Sequence, residues 1–267
     1  MKIKLATRVL VSTYIALLAV ILCGCNTVPV TGRSQFNLMS PGQEAQLGLT
    51  SFDQLKKETP ISKDPAANAL VQKVGKRIAA VADKDMPGAQ WEFVVFDSKE
   101  ANAFCLPGGK VGVYTGILPI TKDEAGLATV IGHEIGHAVA RHGGERMTEA
   151  MGLQLGGQIL GETLSSSDPR TQAAVNVAYG LTTQVGVELP HSRAQESEAD
   201  HIGLIYMAEA GYDPKQAVLF WQRFADFNKQ SGGSTPVFLR THPADATRIQ
   251  QLQVWMPEAL ALYHPVP

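Results

Sequence analysis

The run His133-Glu134-Ile135-Gly136-His137 constrains this chain more than any other feature. Thr121 and Glu124 stand upstream at the spacing of a capping box, and Leu127, Val130 and Ile131 follow at helical apolar spacing. Gly143-Gly144 reads as the stop signal, so the H-E-x-x-H falls inside a helix. Four residues advance an α-helix by about 400°, which places both imidazoles on one face, one turn apart. That spacing suits two ligands of one Zn²⁺ per chain, with Glu134 beside the metal to take a proton from its bound water. The alternative is a polar helix face carrying two histidines by accident, and a third ligand elsewhere in the chain would decide between them.

Spacing discriminates among the options for that ligand. An extended H-E-x-x-H-x-x-G-x-x-H pattern needs Gly at 140 and His at 143, where this chain has Ala140 and Gly143. His142 lies about 140° around the helix from His137 and reads as a surface or C-terminal capping residue. Further on, Ser192-Arg193-Ala194-Gln195-Glu196-Ser197-Glu198-Ala199-Asp200 opens another helix. Glu196 and Asp200 share a face at i and i+4, while Glu198 points about 200° away from Glu196. Glu196 can therefore be the third ligand, and Asp200 can orient a ligand histidine through its second ring nitrogen. A solvated acidic helix face is the competing reading.

These residues resemble the Ste-type CAAX-prenyl-endopeptidase family of zinc metalloproteases, the HtpX-, BepA- and Oma-like gluzincins. The family's H-E-x-x-H is followed by S-R-x-x-E-x-x-A-D, present here as Ser192, Arg193, Glu196, Ala199 and Asp200. Asn102-Ala103-Phe104 with Leu106-Pro107-Gly108-Gly109 resembles the family's segment before the active helix, and Thr241-His242-Pro243 with Arg248-Ile249 resembles its late segment. The resemblance runs from about Ser40 to Leu252 and implies a gluzincin fold with His133, His137 and Glu196 as zinc ligands and Glu134 as base. Unlike the integral membrane branches, the chain shows no spanning stretch after residue 25, and it has no tetratricopeptide extension.

The chemistry expected is zinc-assisted hydrolysis of peptide bonds. His242, with Arg248 second, is the candidate oxyanion stabiliser because both belong to the family-like late segment; for His242, local structure at a helix start is the competing reading. The strand at Lys110–Thr115, or the Asn102, Ala103 and Phe104 segment, is expected to offer an edge on which an extended peptide adds as a strand. That mode suits extended or unfolded polypeptides. One rival is a zinc-containing, chaperone-like assembly factor with low or latent proteolysis, for which a fourth protein ligand such as His242 would be the device; the other is a zinc hydrolase of small substrates, such as an amidase or aminopeptidase, which a narrow closed pocket would indicate.

The N-terminus reads as an address. Lys2, Lys4 and Arg8 precede an apolar stretch, Val9–Cys23, that is short for a spanning helix. Leu22-Cys23-Gly24-Cys25 resembles a bacterial lipobox, which makes residues 1–24 a lipoprotein signal peptide, Cys25 the lipidated membrane anchor and residues 25–39 a loop-like tether. An uncleaved anchor helix is the alternative. Asn26, in the position after that cysteine, implies the outer membrane, facing the periplasm. Cys105 is then the remaining cysteine and reads as a small packed hydrophobe.

A formal net charge of −2 over 267 residues argues against a nucleic-acid partner. No feature of the sequence specifies an oligomeric state. Residues 40–267 read as one α+β protease domain, helix-rich with a small, mostly antiparallel sheet. Helices are expected from Pro41 to before Pro60 and over 65–83, 145–160, 169–187, 192–210, 214–229 and 243–255, with strands at Trp91–Phe96 and Lys110–Thr115 and an exposed break at Ser165–Pro169. The glycines between 145 and 190 suit either a moving lid or close helix packing.

Overall fold

A computed structural model describes residues 24–164, 192–230, 236–242 and 246–265. The leader expected over the first residues, the break at 165–169, the helix at 169–187 and Pro243 lie outside those described residues. The chain divides into two compact units, Met1–Ser40 with Gly143–Glu188 and Pro41–His142 with Leu189–Pro267.

The first unit holds a correction. The tether expected to be loop-like forms an antiparallel hairpin, β1 (Cys25–Thr27) and β2 (Ser34–Phe36). Its turn is closed by Gly32 at φ 70° and by Val28 N–H donating to the Arg33 carbonyl at 2.8 Å. Arg33 grips Glu145 of α5 (His142–Leu164) through two bonds of 2.7 and 3.0 Å, and Leu38 N–H donates to Thr148 Oγ1 at 3.0 Å. Long-range pairing of this kind leaves no local period, so the polar composition masked it.

The second unit is α+β, as expected. Helix α1 (Pro41–Glu58) stops before Pro60, and α2 (Pro65–Ala82) opens on Asp64, whose carboxylate accepts from the Ala66 and Ala67 amides. A sheet of three strands follows, β3 (Glu92–Phe96), β4 (Ala103–Leu106) and β5 (Lys110–Tyr114), in the order β3-β5-β4. The β4–β5 pair is antiparallel across the Pro107-Gly108-Gly109 turn, where both glycines take φ 83°. The β3–β5 pair is parallel, so this sheet is mixed. The strand expected as a peptide-binding edge at Lys110–Thr115 is instead the central one, buried from Lys110 through Val113, and β4 is an edge. Phe52, Phe96, Phe104 and Tyr114 interlock beneath it with ring centroids 5.6–6.2 Å apart.

A short helix α3 (Leu118–Thr121) precedes the long α4 (Glu124–Val139). The capping box does not form, because Thr121 ends α3 and donates to the Leu118 carbonyl; Asp123 caps α4 instead, accepting from Gly126 N–H at 2.8 Å. From Gly126 to Val139 every residue of α4 is buried. It is the central post of the unit, flanked by α2, β4, α6 (Arg193–Glu209) and α7 (Lys215–Gln230). The short α8 (Val237–Thr241) and α9 (Ala246–Leu262) complete it. No helix among the described residues is long and apolar enough to cross a membrane.

Candidate metal centre

The site is built where α4 and α6 cross, and glycines set how closely they do so. A Cβ on Gly136 would lie 2.7 Å from the Ala199 carbonyl oxygen, one on Gly132 2.9 Å from that of Gly203, and one on Gly203 2.7 Å from the His133 amide nitrogen. Only hydrogen in place of a side chain lets the backbones meet there. This approach brings His133, Glu134 and His137 of α4 against Glu196 and Asp200 of α6, all buried. Ser192 starts α6 by accepting from Gln195 N–H, so Glu196 sits in the first turn.

Three donors converge. His133 Nε2 and His137 Nε2 are 3.1 Å apart, His137 Nε2 is 3.1 Å from Glu196 Oε1, and His133 Nε2 is 3.4 Å from Glu196 Oε2. A tetrahedral zinc with bonds of 2.0–2.1 Å has ligand–ligand edges of about 3.3 Å, so these separations match the edges of such a site. His242, at the end of α8, joins them: its Nδ1 is 2.9 Å from Glu196 Oε1 and 3.2 Å from His133 Nε2. One donor atom from each of His133, His137, Glu196 and His242 falls within a span of 4.8 Å. Glu134 Oε1 is buried without a hydrogen-bond partner among the described residues, with His242 Nε2 3.5 Å away. Two imidazoles, a carboxylate and an unengaged carboxylate oxygen beside them fit a divalent cation and a base.

The electrostatics agree. Burial works to raise the pKa of Glu196, but His133, His137 and His242 outweigh it and hold the carboxyl far below its usual range. Burial pushes Glu134 above its usual range, against the pull of His242 and His133. Burial and Arg248 would lower His133, yet Glu196 and Asp200 win and raise it to about 9. Asp200 Oδ1 lies 2.9 Å from His133 Nδ1 and 2.8 Å from Arg248 Nη2, while Arg248 Nη1 lies 2.9 Å from Glu196 Oε2. The Arg248 guanidinium stacks 3.5 Å above the Trp221 ring, a buried face that can accept a planar cation.

Two sequence readings fail at this site. Helix α4 ends at Val139, not at the glycine pair, because Arg141 takes a left-handed φ of 55°. That bend ends the helical arithmetic behind the exposed placement of His142. His142 is wholly buried, with its Nδ1 2.8 Å from His137 Nδ1 and its Nε2 2.9 Å from Glu198 Oε2. Glu198, its partner, is buried with it. Arg248, read as a second oxyanion candidate, pairs with Asp200 and Glu196. Neither the turn nor the partner of His142 leaves a periodic signal. Trp221 belongs to no motif, so nothing in the sequence sets it apart as the platform for Arg248.

The remaining predicted residues are placed as follows. Asn102, Ala103 and Phe104 lead into and begin the edge strand β4, which packs against α4. Cys105 in that strand is half-buried; burial pushes its thiol up and the nearby Glu134 charge adds to this, as befits a packed, unreactive group. Cys25 is exposed in β1.

A helix carrying H-E-x-x-H, a glutamate donor from a facing helix and a small sheet with an edge strand beside them define a metallopeptidase of the glutamate-ligand type. The sequence profile of peptidase family M48 matches residues 65–256, and the chain belongs to that family. It is 33% identical over 250 residues to the mitochondrial metalloendopeptidase OMA1 of Saccharomyces cerevisiae, covering 88% of this chain and 70% of that protein. It is 38% identical to the Arabidopsis thaliana protein of that name over 191 residues, covering 70% of this chain and 36% of that one. It is also 27% identical to the beta-barrel assembly-enhancing protease of Escherichia coli over 227 residues, covering 84% of this chain and 46% of the relative. The chain is a metalloprotease, a hydrolase that uses a metal ion.

Proposed function

We propose that this chain is a zinc-dependent endopeptidase of the bacterial cell envelope that cleaves extended segments of unfolded or misassembled proteins. The observation that carries the reading is the convergence of His133, His137 and Glu196 at tetrahedral-edge spacing, with the buried Glu134 beside them. Zinc held there supplies a Lewis acid and brings the acidity of water near neutrality. Glu134 takes the proton of the attacking water at its free Oε1 and returns it to the leaving amine nitrogen. Asp200 orients His133 through Nδ1.

The edge strand supports an extended substrate. Tyr114 N–H donates to the Asn102 carbonyl, and Ala103 lies opposite Val113, so alternate residues Ala103 and Cys105 turn their backbone groups away from β5. Asn102 Oδ1 holds the Ala103 amide at 3.0 Å. A peptide added along this edge is read mainly by its backbone, which suits varied sequences. For location, the Leu22-Cys23-Gly24-Cys25 segment supports lipidation at Cys25 and an outer-membrane anchor facing the periplasm. Palmitate labelling that disappears in Cys25→Ser checks this.

Casein cleavage by the purified protein, compared with Glu134→Gln and with bound zinc quantified in both, tests the enzyme reading. The expected result is zinc in both and cleavage in the variant reduced about 10²–10⁴-fold. Absence of zinc from both would overturn the ligand assignment.

His242 supports a second reading, a latent protease or chaperone-like assembly factor. As a fourth protein donor it would close the coordination shell, the arrangement of structural rather than catalytic sites. His242→Ala separates the roles by sign: cleavage rises if the imidazole blocks the open position and falls if it stabilises the oxyanion.

A further inference from the structure

Each of the two imidazoles of the H-E-x-x-H is held through its other ring nitrogen, but in different ways. His133 Nδ1 meets a carboxylate directly, Asp200 Oδ1 at 2.9 Å. His137 Nδ1 meets another histidine, His142 Nδ1 at 2.8 Å, and His142 Nε2 in turn meets Glu198 Oε2 at 2.9 Å. All three of these groups are buried, so the contacts are not shared with bulk water.

We infer that His142 and Glu198 are positioning residues that hold His137 in its metal-binding tautomer. The inference rests on the metal site proposed above. A contact of 2.8 Å between two ring nitrogens needs one proton between them, and each neutral imidazole carries one N–H. With the His137 Nε2 lone pair directed at the metal, its proton sits on Nδ1 and is donated to His142 Nδ1. His142 must then present a lone pair at Nδ1 and carry its own proton on Nε2, where the Glu198 carboxylate accepts it. The reverse assignment, with His142 donating from Nδ1, places the His137 proton on Nε2 and removes a ligand. Glu198 selects the productive arrangement because an ionised carboxylate can only accept.

The backbone shows how the link is assembled. A continued helix would have carried His142 away from His137, but Arg141 at φ 55° breaks the path. A non-glycine residue is disfavoured in that region by the crowding of its Cβ. Arg141 is held there by its Nε donating to the buried Glu44 at 2.8 Å. The left-handed residue thus turns His142 back under His137 and toward α6, where Glu198 lies two residues, about half a turn, beyond Glu196.

Zinc affinity of the full chain, measured by competition with a chromophoric chelator, tests the inference; cobalt(II) absorption spectra and the melting temperature of the metal-free protein accompany it. His142→Phe keeps the ring volume and removes both nitrogens; it should weaken zinc binding about 10–100-fold and change the cobalt spectrum. His142→Asn, whose Oδ1 can accept where Nδ1 did, should restore affinity to within a few-fold of the parent. Equal zinc binding by His142→Phe and the parent, or a His142→Asn as weak as His142→Phe, would overturn it. Should His142→Phe not fold, Glu198→Gln and Glu198→Leu decide: the amide can still accept but no longer excludes the other tautomer and should lose part of the affinity, the leucine should lose more, and equal behaviour sinks the idea. A parent that binds no zinc would instead sink the metal reading itself.

Discussion

Two clusters of opposite charge in the same structural unit show what burial does to one kind of chemistry. Around His133, Arg248 clasps Asp200 and Glu196 with side chains 3–8% exposed. At the rim of the sheet, Glu92 bridges Lys56 at 2.8 Å and Lys110 at 3.3 Å, with its own side chain 36% exposed. The distances are alike; the surroundings are not. Water at the rim solvates Glu92 and Lys56 whether or not they pair, so pairing between them changes little. Inside, each charge depends on its neighbours for solvation, and removal of one strands the others. The buried cluster is therefore costly to assemble and intolerant of change, and it is the one that holds the site.

The sharpest way to break this contrast is Arg248→Met, which leaves Asp200 and Glu196 without their cation. Unfolding of the zinc-free protein by urea should lose about 3–5 kcal/mol of stability. Zinc should recover part of that loss, because a divalent cation on Glu196 replaces some of the missing positive charge. A loss no larger than that of a surface pair would mean that burial is not what separates the clusters.

Asp200→Asn sharpens the contrast from within. The amide oxygen can still accept from His133 Nδ1, but it no longer balances Arg248. Zinc affinity should fall toward the lower part of the about 10–100-fold range seen for such supporting partners, and Asp200→Ala toward the upper part. Chelator competition reads both variants. Equal affinities for the two would mean that the hydrogen bond to His133 contributes nothing and charge alone matters.

The same contrast explains what could be read in the chain beforehand. His133, His137, Glu196 and Asp200 were legible because each pair repeats every four residues on a helix, and that period survives in sequence. The α+β class was legible for the same reason, from the spacing of Val71, Val74 and Ile78 and the β-branched run of β3. What escaped depends on contacts between distant segments. The parallel pairing of β3 with β5 leaves no local trace, nor does Arg33 reaching Glu145 across more than a hundred residues. Arg141 is a non-glycine residue in a left-handed turn, which sequence reasoning assigns to Gly143-Gly144 instead. One misplaced stop was enough to put His142 at the surface or in a capping position when it is wholly buried. Short-period geometry carried the converging donors and Asp200, whereas the link from His142 to Glu198 was set by tertiary packing.

The smallest effect should come from the rim. Lys56 holds the Glu92 carboxyl below its usual range, and Glu92 holds the Lys56 ammonium above its own. A carboxyl depressed on folding adds stability that is present above the unfolded value near 4.5 and disappears as pH falls through the folded one. An ammonium raised on folding adds stability that is present below the unfolded value of 10.5 and disappears as pH rises through the folded one. Glu92→Gln should therefore cost less than about 1 kcal/mol at neutral pH, since exposure screens the pair. In 1 M salt, where the screening length is about 3 Å, the cost should vanish, and it should also vanish in acid, where Glu92 of the parent is protonated in folded and unfolded states alike. Urea midpoints of parent and variant under the three conditions provide the check. Arg248→Met measured in the same salt series should barely respond, because ions do not reach a guanidinium stacked on Trp221 and closed over by α6 and α9. A salt response as large as that of Glu92→Gln would place water in the buried cluster and erase the distinction between the two.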